Sequence, residues 1–187
     1  MNQPGGGGLV DYDWAALRCF AGSAAGLPAA VRDLLSAATG ATAEEAYWRI
    51  DGVALVQGRL SESCTAVCAE LVSGLPGATE HGRRQALDPQ ISGGYEEHVD
   101  SAVVGPVSYA ACMREIVRGF PLYRERVETD LDASCVDLIL MCGLADDGLR
   151  GEAVRVLERA LDAASDGDVR ELIANSLEDL RGEASGA

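Results

Sequence analysis

The stretch TAEEAYWRIDGVALVQGRLSESCTAVCAELVSGL, Thr42 to Leu75, decides the fold class. Thr42 followed by Glu45 has the spacing of a capping box, in which two side chains satisfy backbone N–H groups of the opening helical turn. Behind it, Ala46, Tyr47, Ile50, Val53 and Ala54 recur three and four apart, the signature of one helix face. This helix is expected to run to Gln57 and stop at Gly58. Ser61 can cap a second helix with the stripe Cys64, Val67, Cys68, Leu71, Val72 and Leu75, which Gly74, Pro76 and Gly77 end. Two amphipathic helices joined by a short turn bury their apolar faces together, so the unit predicts an antiparallel pair.

Similar units extend on both sides. Asp11 or Asp13 is expected to cap a helix holding Trp14, Leu17 and Phe20. Pro28 suits the first turn of the next, which carries Val31, Leu34, Leu35 and Ala38 on one face and stops at Gly40. Residues 79–91 read as a short helix with Ala86, Leu87 and Ile91. Residues 92–105 hold Gly93-Gly94, an acidic cluster and no helical stripe, and read as a long loop. Pro106 opens a helix with Tyr109, Cys112, Met113, Ile116, Val117 and Phe120 inward, and a short helix over about 122–131 follows Pro121. Asp132 caps Ala133 to Ala145, which is apolar nearly all round and so predicts a helix enclosed by neighbours. Further helices are expected over about 150–164 and, capped by Asp168, through Leu180.

No segment alternates convincingly with the two-residue period of a strand. The chain is therefore expected to be all-α, a degenerate solenoid of antiparallel helix pairs with about nine or ten helices. An irregular helical bundle is the alternative. Residues 11–181 read as a single helical-repeat domain, between a flexible Gly-rich N-terminus (1–10) and a flexible tail (182–187).

Two segments carry a family resemblance. Tyr47-Trp48-Arg49-Ile50-Asp51 through Val56-Gln57-Gly58-Arg59-Leu60, and Cys112-Met113-Arg114-Glu115-Ile116-Val117-Arg118-Gly119-Phe120-Pro121-Leu122-Tyr123, resemble a group of uncharacterised actinobacterial HEAT-repeat-like proteins. In that group a helix ending in a Val-Gln-Gly turn precedes a second helix packed inside. The resemblance spans roughly residues 12–165. It implies a HEAT-like α-solenoid and no catalytic residue, and suggests protein binding, including as immunity partners of toxins.

Composition narrows the function further. The 187 residues include 30 acids and 15 basic residues, all arginine, for a net charge of −15. Apolar residues make up 48%, enough to build a core, so wholesale disorder is excluded. Nucleic-acid binding calls for a basic stripe and stacking aromatics, and an acidic chain with nine aromatics is a poor candidate. The longest apolar run, Leu138 to Ala145, is far short of a bilayer span. The first residues lack the positive and apolar regions of a secretory signal, so a soluble cytoplasmic protein is expected. Cys19, Cys64, Cys68, Cys112, Cys135 and Cys142 form no close ligand pair of the zinc type. They are expected to be reduced and mostly buried, with no metal or other cofactor.

Candidate sites are few. Arg49, Asp51 and Gln57 are polar residues within an apolar helix pair, either a recognition site or a structural network at the helix end. Trp48 lies off the main stripe and is expected to pack on the neighbouring repeat, with an exposed binding anchor as the alternative. His81 and His98 stand near Glu80, Glu96, Glu97 and Asp100, but their spacing fits no known mechanism and solvated surface is the expectation. Charge is uneven along the chain: residues 95–187 hold 20 acids and 9 arginines, net −11. Many acids fall at helix starts, where they complement the dipole. The surplus suggests an acidic edge formed by Glu96, Glu97, Asp100, Glu125, Glu128, Asp130, Asp132, Asp146 and Asp147 that steers a basic partner. Trp48, Arg49 and Gln57 complete the candidate partner-binding set.

The expected function is a non-enzymatic protein-binding module, in its sharpest form an immunity protein that neutralises a basic toxin or other cationic partner. Two alternatives stand beside it. One is a HEAT-like enzyme of the DNA glycosylase or lyase kind, an analogy of fold only. The other is a regulatory or scaffold subunit.

Overall fold

A computed structural model describes residues 12–87 and 101–182. Among these residues it contains ten helices: α1 (Leu27–Leu35), α2 (Gly40–Ala54), α3 (Cys64–Gly74), α4 (Glu80–Ala86), α5 (Ser101–Val104), α6 (Tyr109–Val117), α7 (Phe120–Asp130), α8 (Ala133–Ala145), α9 (Asp147–Ala163) and α10 (Gly167–Gly182). The protein is all-α but for two very short strands, β1 (Leu55–Val56) and β2 (Arg59–Leu60). The expected flexible ends, most of the loop at 92–105, and Ile91 lie outside the described residues.

Several helix starts follow the expected chemistry. Asp132 caps α8, its carboxylate accepting from the N–H of Ser134 at 3.0 Å. Pro121 sits in the first turn of α7, where its missing N–H costs nothing. Other starts are displaced. The capping box of α2 is Thr39 with Thr42, one turn before the expected pair, so Gly40 opens this helix instead of ending α1. Ser63 precedes α3, while the Ser61 hydroxyl turns back to donate to the carbonyl of Ala54 at 2.8 Å. Ser108, not Pro106, caps α6. Asp146 caps α9 three residues early, and Asp166 rather than Asp168 accepts the opening N–H groups of α10. Residues 101–104, expected as loop, form the single turn α5.

Two expectations fail outright. No helix forms around Trp14, Leu17 and Phe20. This segment is a strap with a turn at residues 14–16, its backbone engaged elsewhere: Phe20 N–H donates to Val53 at 2.9 Å and Ser63 N–H to Arg18 at 3.2 Å. So short a helix is marginal alone, and pairing with other segments outcompetes it. The helix expected to reach Gln57 ends at Ala54, and β1 pairs with β2 through a two-residue turn. Gln57 (φ 53°) and Gly58 (φ 77°) both lie in the left-handed region, as a type I′ turn requires.

One continuous apolar core runs through the molecule. In the first half, α1 packs on α2, α3 and α4. In the second, α8 touches α6, α7, α9 and α10, and α3 against α6 joins the halves. The enclosure of α8 matches its apolar surface: Cys135, Val136, Leu138, Ile139 and Cys142 are buried. Arg124 pairs with Glu152 at 2.5 Å, and Arg159 pairs with Glu128. Both positions advance together along α7 and α9, so these helices run parallel with α8 reversed between them.

Candidate partner-binding surface

Helix α8 places the acidic residues. Asp132 stands at its start, and Asp146, which accepts from Gly148 N–H at 2.8 Å, stands just past its end. Thirteen residues at the helical rise separate these ends by about 20 Å. Asp130 and Asp132 therefore form one group and Asp146 and Asp147 another. Successive turns of antiparallel helices open at alternate ends, so the carboxylates do not form the single line expected of stacked turns.

Arginines absorb part of this charge. Asp130 binds Arg126 at 2.8 Å, Glu128 binds Arg159, and Asp147 binds Arg150 at 3.1 Å. These are surface pairs, worth less than about 1 kcal/mol each. Glu125 is exposed on α7, and the Asp147 side chain is 90% exposed, so its charge remains available to a partner. Glu96, Glu97, Asp100 and His98 lie outside the described residues.

Beside Asp146 the surface opens into a mainly apolar groove of about 460 Å³. Tyr109, Ala110, Met113, Arg114 and Val117 of α6 line one side, and Ala145 with Asp146 the other. Tyr109, Met113 and Val117 are four apart, a stripe along α6; Tyr109 is exposed and Val117 partly so, whereas Met113 is buried like Cys112, Ile116 and Phe120. The sequence marked all six as one inward face. Its unusual width was the signal of a second surface. Burial and then the nearby Cys112 thiol push the Tyr109 phenol pKa up.

The remaining candidates belong to the first half. Trp48 is not packed on a neighbouring repeat: it is 58% exposed, its ring edge-on to Tyr47 at 5.3 Å between centroids. Tyr47 takes the buried position and turns Trp48 outward. Arg49 binds Asp33 at 2.8 Å and ties α2 to α1, which is a structural duty. Gln57 occupies the hairpin turn. Trp48 and Arg49 thus sit on the outer face of α2, with Gln57 in the turn beyond its end.

Five of the cysteines are buried and Cys19 is partly exposed, all as free thiols. Desolvation pushes Cys64, Cys135 and Cys142 up to about 12, and a hydrogen bond with Cys112, then burial, raises Cys68 well above its usual value. Such thiols are poor nucleophiles. His81 is exposed on α4. No group of three or more His, Cys, Asp or Glu among the described residues is placed to hold a metal ion. No described helix is long and apolar enough to cross a membrane. No protein-family model, curated protein or solved structure matches this chain.

Proposed function

We propose that this protein is a non-enzymatic protein-binding module that receives a basic partner at the α6–α8 groove. The observation that carries the reading is the pairing of an apolar slot with Asp146 in its lining and the exposed Asp147 next to it in the chain. A partner segment presenting an apolar anchor next to lysine or arginine complements both features. The net charge of −15 would speed its approach. The sharpest form of the reading is an immunity protein or inhibitor that neutralises a basic toxin. Kinship with HEAT-like solenoid proteins belongs to the same proposal. It is supported by the consecutive antiparallel helices α7 to α10 and the parallel relation of α7 to α9, which stacked helix pairs also produce. Free buried thiols suit action in the reducing cytoplasm.

The test is co-purification from the native host with the tagged full chain at low salt. It is run beside Tyr109→Ala and Asp147→Asn, two exposed changes that spare the core. A basic protein retained by the parent chain and released by either change supports the reading. Retention of no basic protein, or equal retention by both variants, removes it.

A further inference from the structure

At the other end of α8 lies a second, very different cavity. It measures about 480 Å³ and is lined by Glu80, Arg83 and Arg84 of α4, Arg126 and Asp130 of α7, and Asp132 at the cap of α8. Three of the fifteen arginines converge here, in a chain that is otherwise strongly acidic.

The hydrogen-bond inventory of the cavity is unbalanced. Its carboxylates already have partners: Glu80 accepts from Arg84 at 3.2 Å, Asp130 from Arg126 at 2.8 Å, and Asp132 from the N–H of Ser134. Its arginines have donors to spare. Each guanidinium carries five N–H groups. Arg83 spends Nη1 on the carbonyl of Ala78 at 2.9 Å, and Arg84 and Arg126 each spend one nitrogen on the carboxylates above. The Nε of Arg126 is buried and has no hydrogen-bond partner among the described residues. A buried donor without an acceptor is costly, most of all on a charged group. Arg126 Nε itself is closed off from solvent, so the donors left for a ligand are the remaining terminal N–H groups of the three guanidinium groups, and the local balance of three arginines against three carboxylates leaves no net repulsion to keep an anion out.

We propose that this cavity binds a small oxyanion ligand, the phosphate or carboxylate group of a small molecule, held by Arg83, Arg84 and Arg126. The planar guanidinium forks match either group with paired hydrogen bonds. The volume admits a small metabolite rather than a bare ion alone. The site is separate from the partner-binding groove and does not depend on it.

The experiment is isothermal titration of the full chain at low ionic strength, once with inorganic phosphate and once with succinate. Saturable binding of either, with a Kd on the order of 1 mM or tighter, is expected, and the anion that binds identifies the chemistry. Arg84→Gln is the decisive variant, because its side chain is 73% exposed and folding does not depend on it. It should weaken binding about tenfold. Arg126→Lys keeps the charge but removes the fork, and should weaken it comparably while leaving the circular dichroism spectrum unchanged. No saturable binding by either anion overturns the proposal and leaves the cavity an ion-pair cluster. Binding that survives both substitutions also overturns it, because the anion then sits elsewhere. Capture of a protein partner should be unaffected by Arg84→Gln, which separates failure here from failure of the groove.

Discussion

Gly82 of α4 lies so close to the end of α1 that a methyl group on its Cα would overlap the carbonyl oxygen of Leu34 and stand 2.8 Å from that of Leu35. The approach has a purpose. Carbonyls at a helix end have no partner inside the helix. Thr79, which caps α4, supplies one: its N–H donates to Leu35 at 2.9 Å and its hydroxyl to Ala37 at 2.7 Å. Gly82→Ala should force α4 away from α1 and cost about 1–3 kcal/mol, as overpacking against an unyielding backbone does. Chemical denaturation measures it. A midpoint equal to the parent's would show that the helices separate freely.

The hairpin turn makes a second prediction. Gly58 holds φ at 77°, a region in which a side chain costs about 1–2 kcal/mol. Gly58→Ala should lower stability by about that amount. Gly58→Asn should lower it less, since asparagine tolerates left-handed backbone. Equal midpoints for the two variants would contradict this account of the turn.

The thiols give stability an alkaline limit. In the unfolded chain they lose protons near pH 9, whereas in the folded chain Cys64, Cys135 and Cys142 keep theirs to about 12. Their contribution is whole below the unfolded value and is lost as pH rises from about 9 to 12. Each thiol removes about 1.4 kcal/mol per pH unit across that window. Urea titrations at pH 8 and pH 10.5 should show a steep loss. At pH 8, a thiol reagent should modify Cys19 quickly and the five buried cysteines only at the rate of unfolding.

Trp48 separates binding from folding. It is exposed, so Trp48→Ala should change stability by less than about 0.5 kcal/mol. If the partner's footprint reaches α2, the same change should weaken capture severalfold or more, since exposed tryptophan is a frequent hot spot. A large loss of stability would place the indole in the core after all.

The legible parts of the fold were those where one strong local cue stood alone. Asp132 before an apolar run marked α8 to the residue, and Pro121 marked α7. Where two cues competed, the sequence could not choose. Thr39 and Thr42 turn out to act together in one capping box, whereas neither Ser61 nor Ser63 caps α3 with its side chain, Ser61 being drawn to the carbonyl of Ala54. The hairpin was hidden because each of its strands is only two residues long, too short for alternation to show, and because Gln57 is an unusual residue for a left-handed turn. The groove at Tyr109 was only half legible: the width of the apolar face hinted at it, but periodicity shows which residues are apolar, not which apolar stripe meets a neighbour. The two-ended arrangement of the carboxylates was readable in principle, since alternate turns of antiparallel helices must open on opposite sides. The cavity of arginines was not, because it joins positions some 40 residues apart in the chain, Arg83 and Arg126.

The strap at residues 12–22 bears on how the molecule assembles. Arg18 donates to the carboxylate of Glu62 through its backbone and to the carbonyl of Ser101 through its guanidinium, spanning 44 and 83 positions. Helical pairs close local contacts quickly, but contacts this distant wait for their loops to be ordered. The guanidinium of Arg18 is thus fastened later than the backbone around it. During synthesis at 5–20 residues per second, Arg18 waits roughly 4–16 s before Ser101 exists. Over that interval the strap is held through Val53, Glu62 and Ser63.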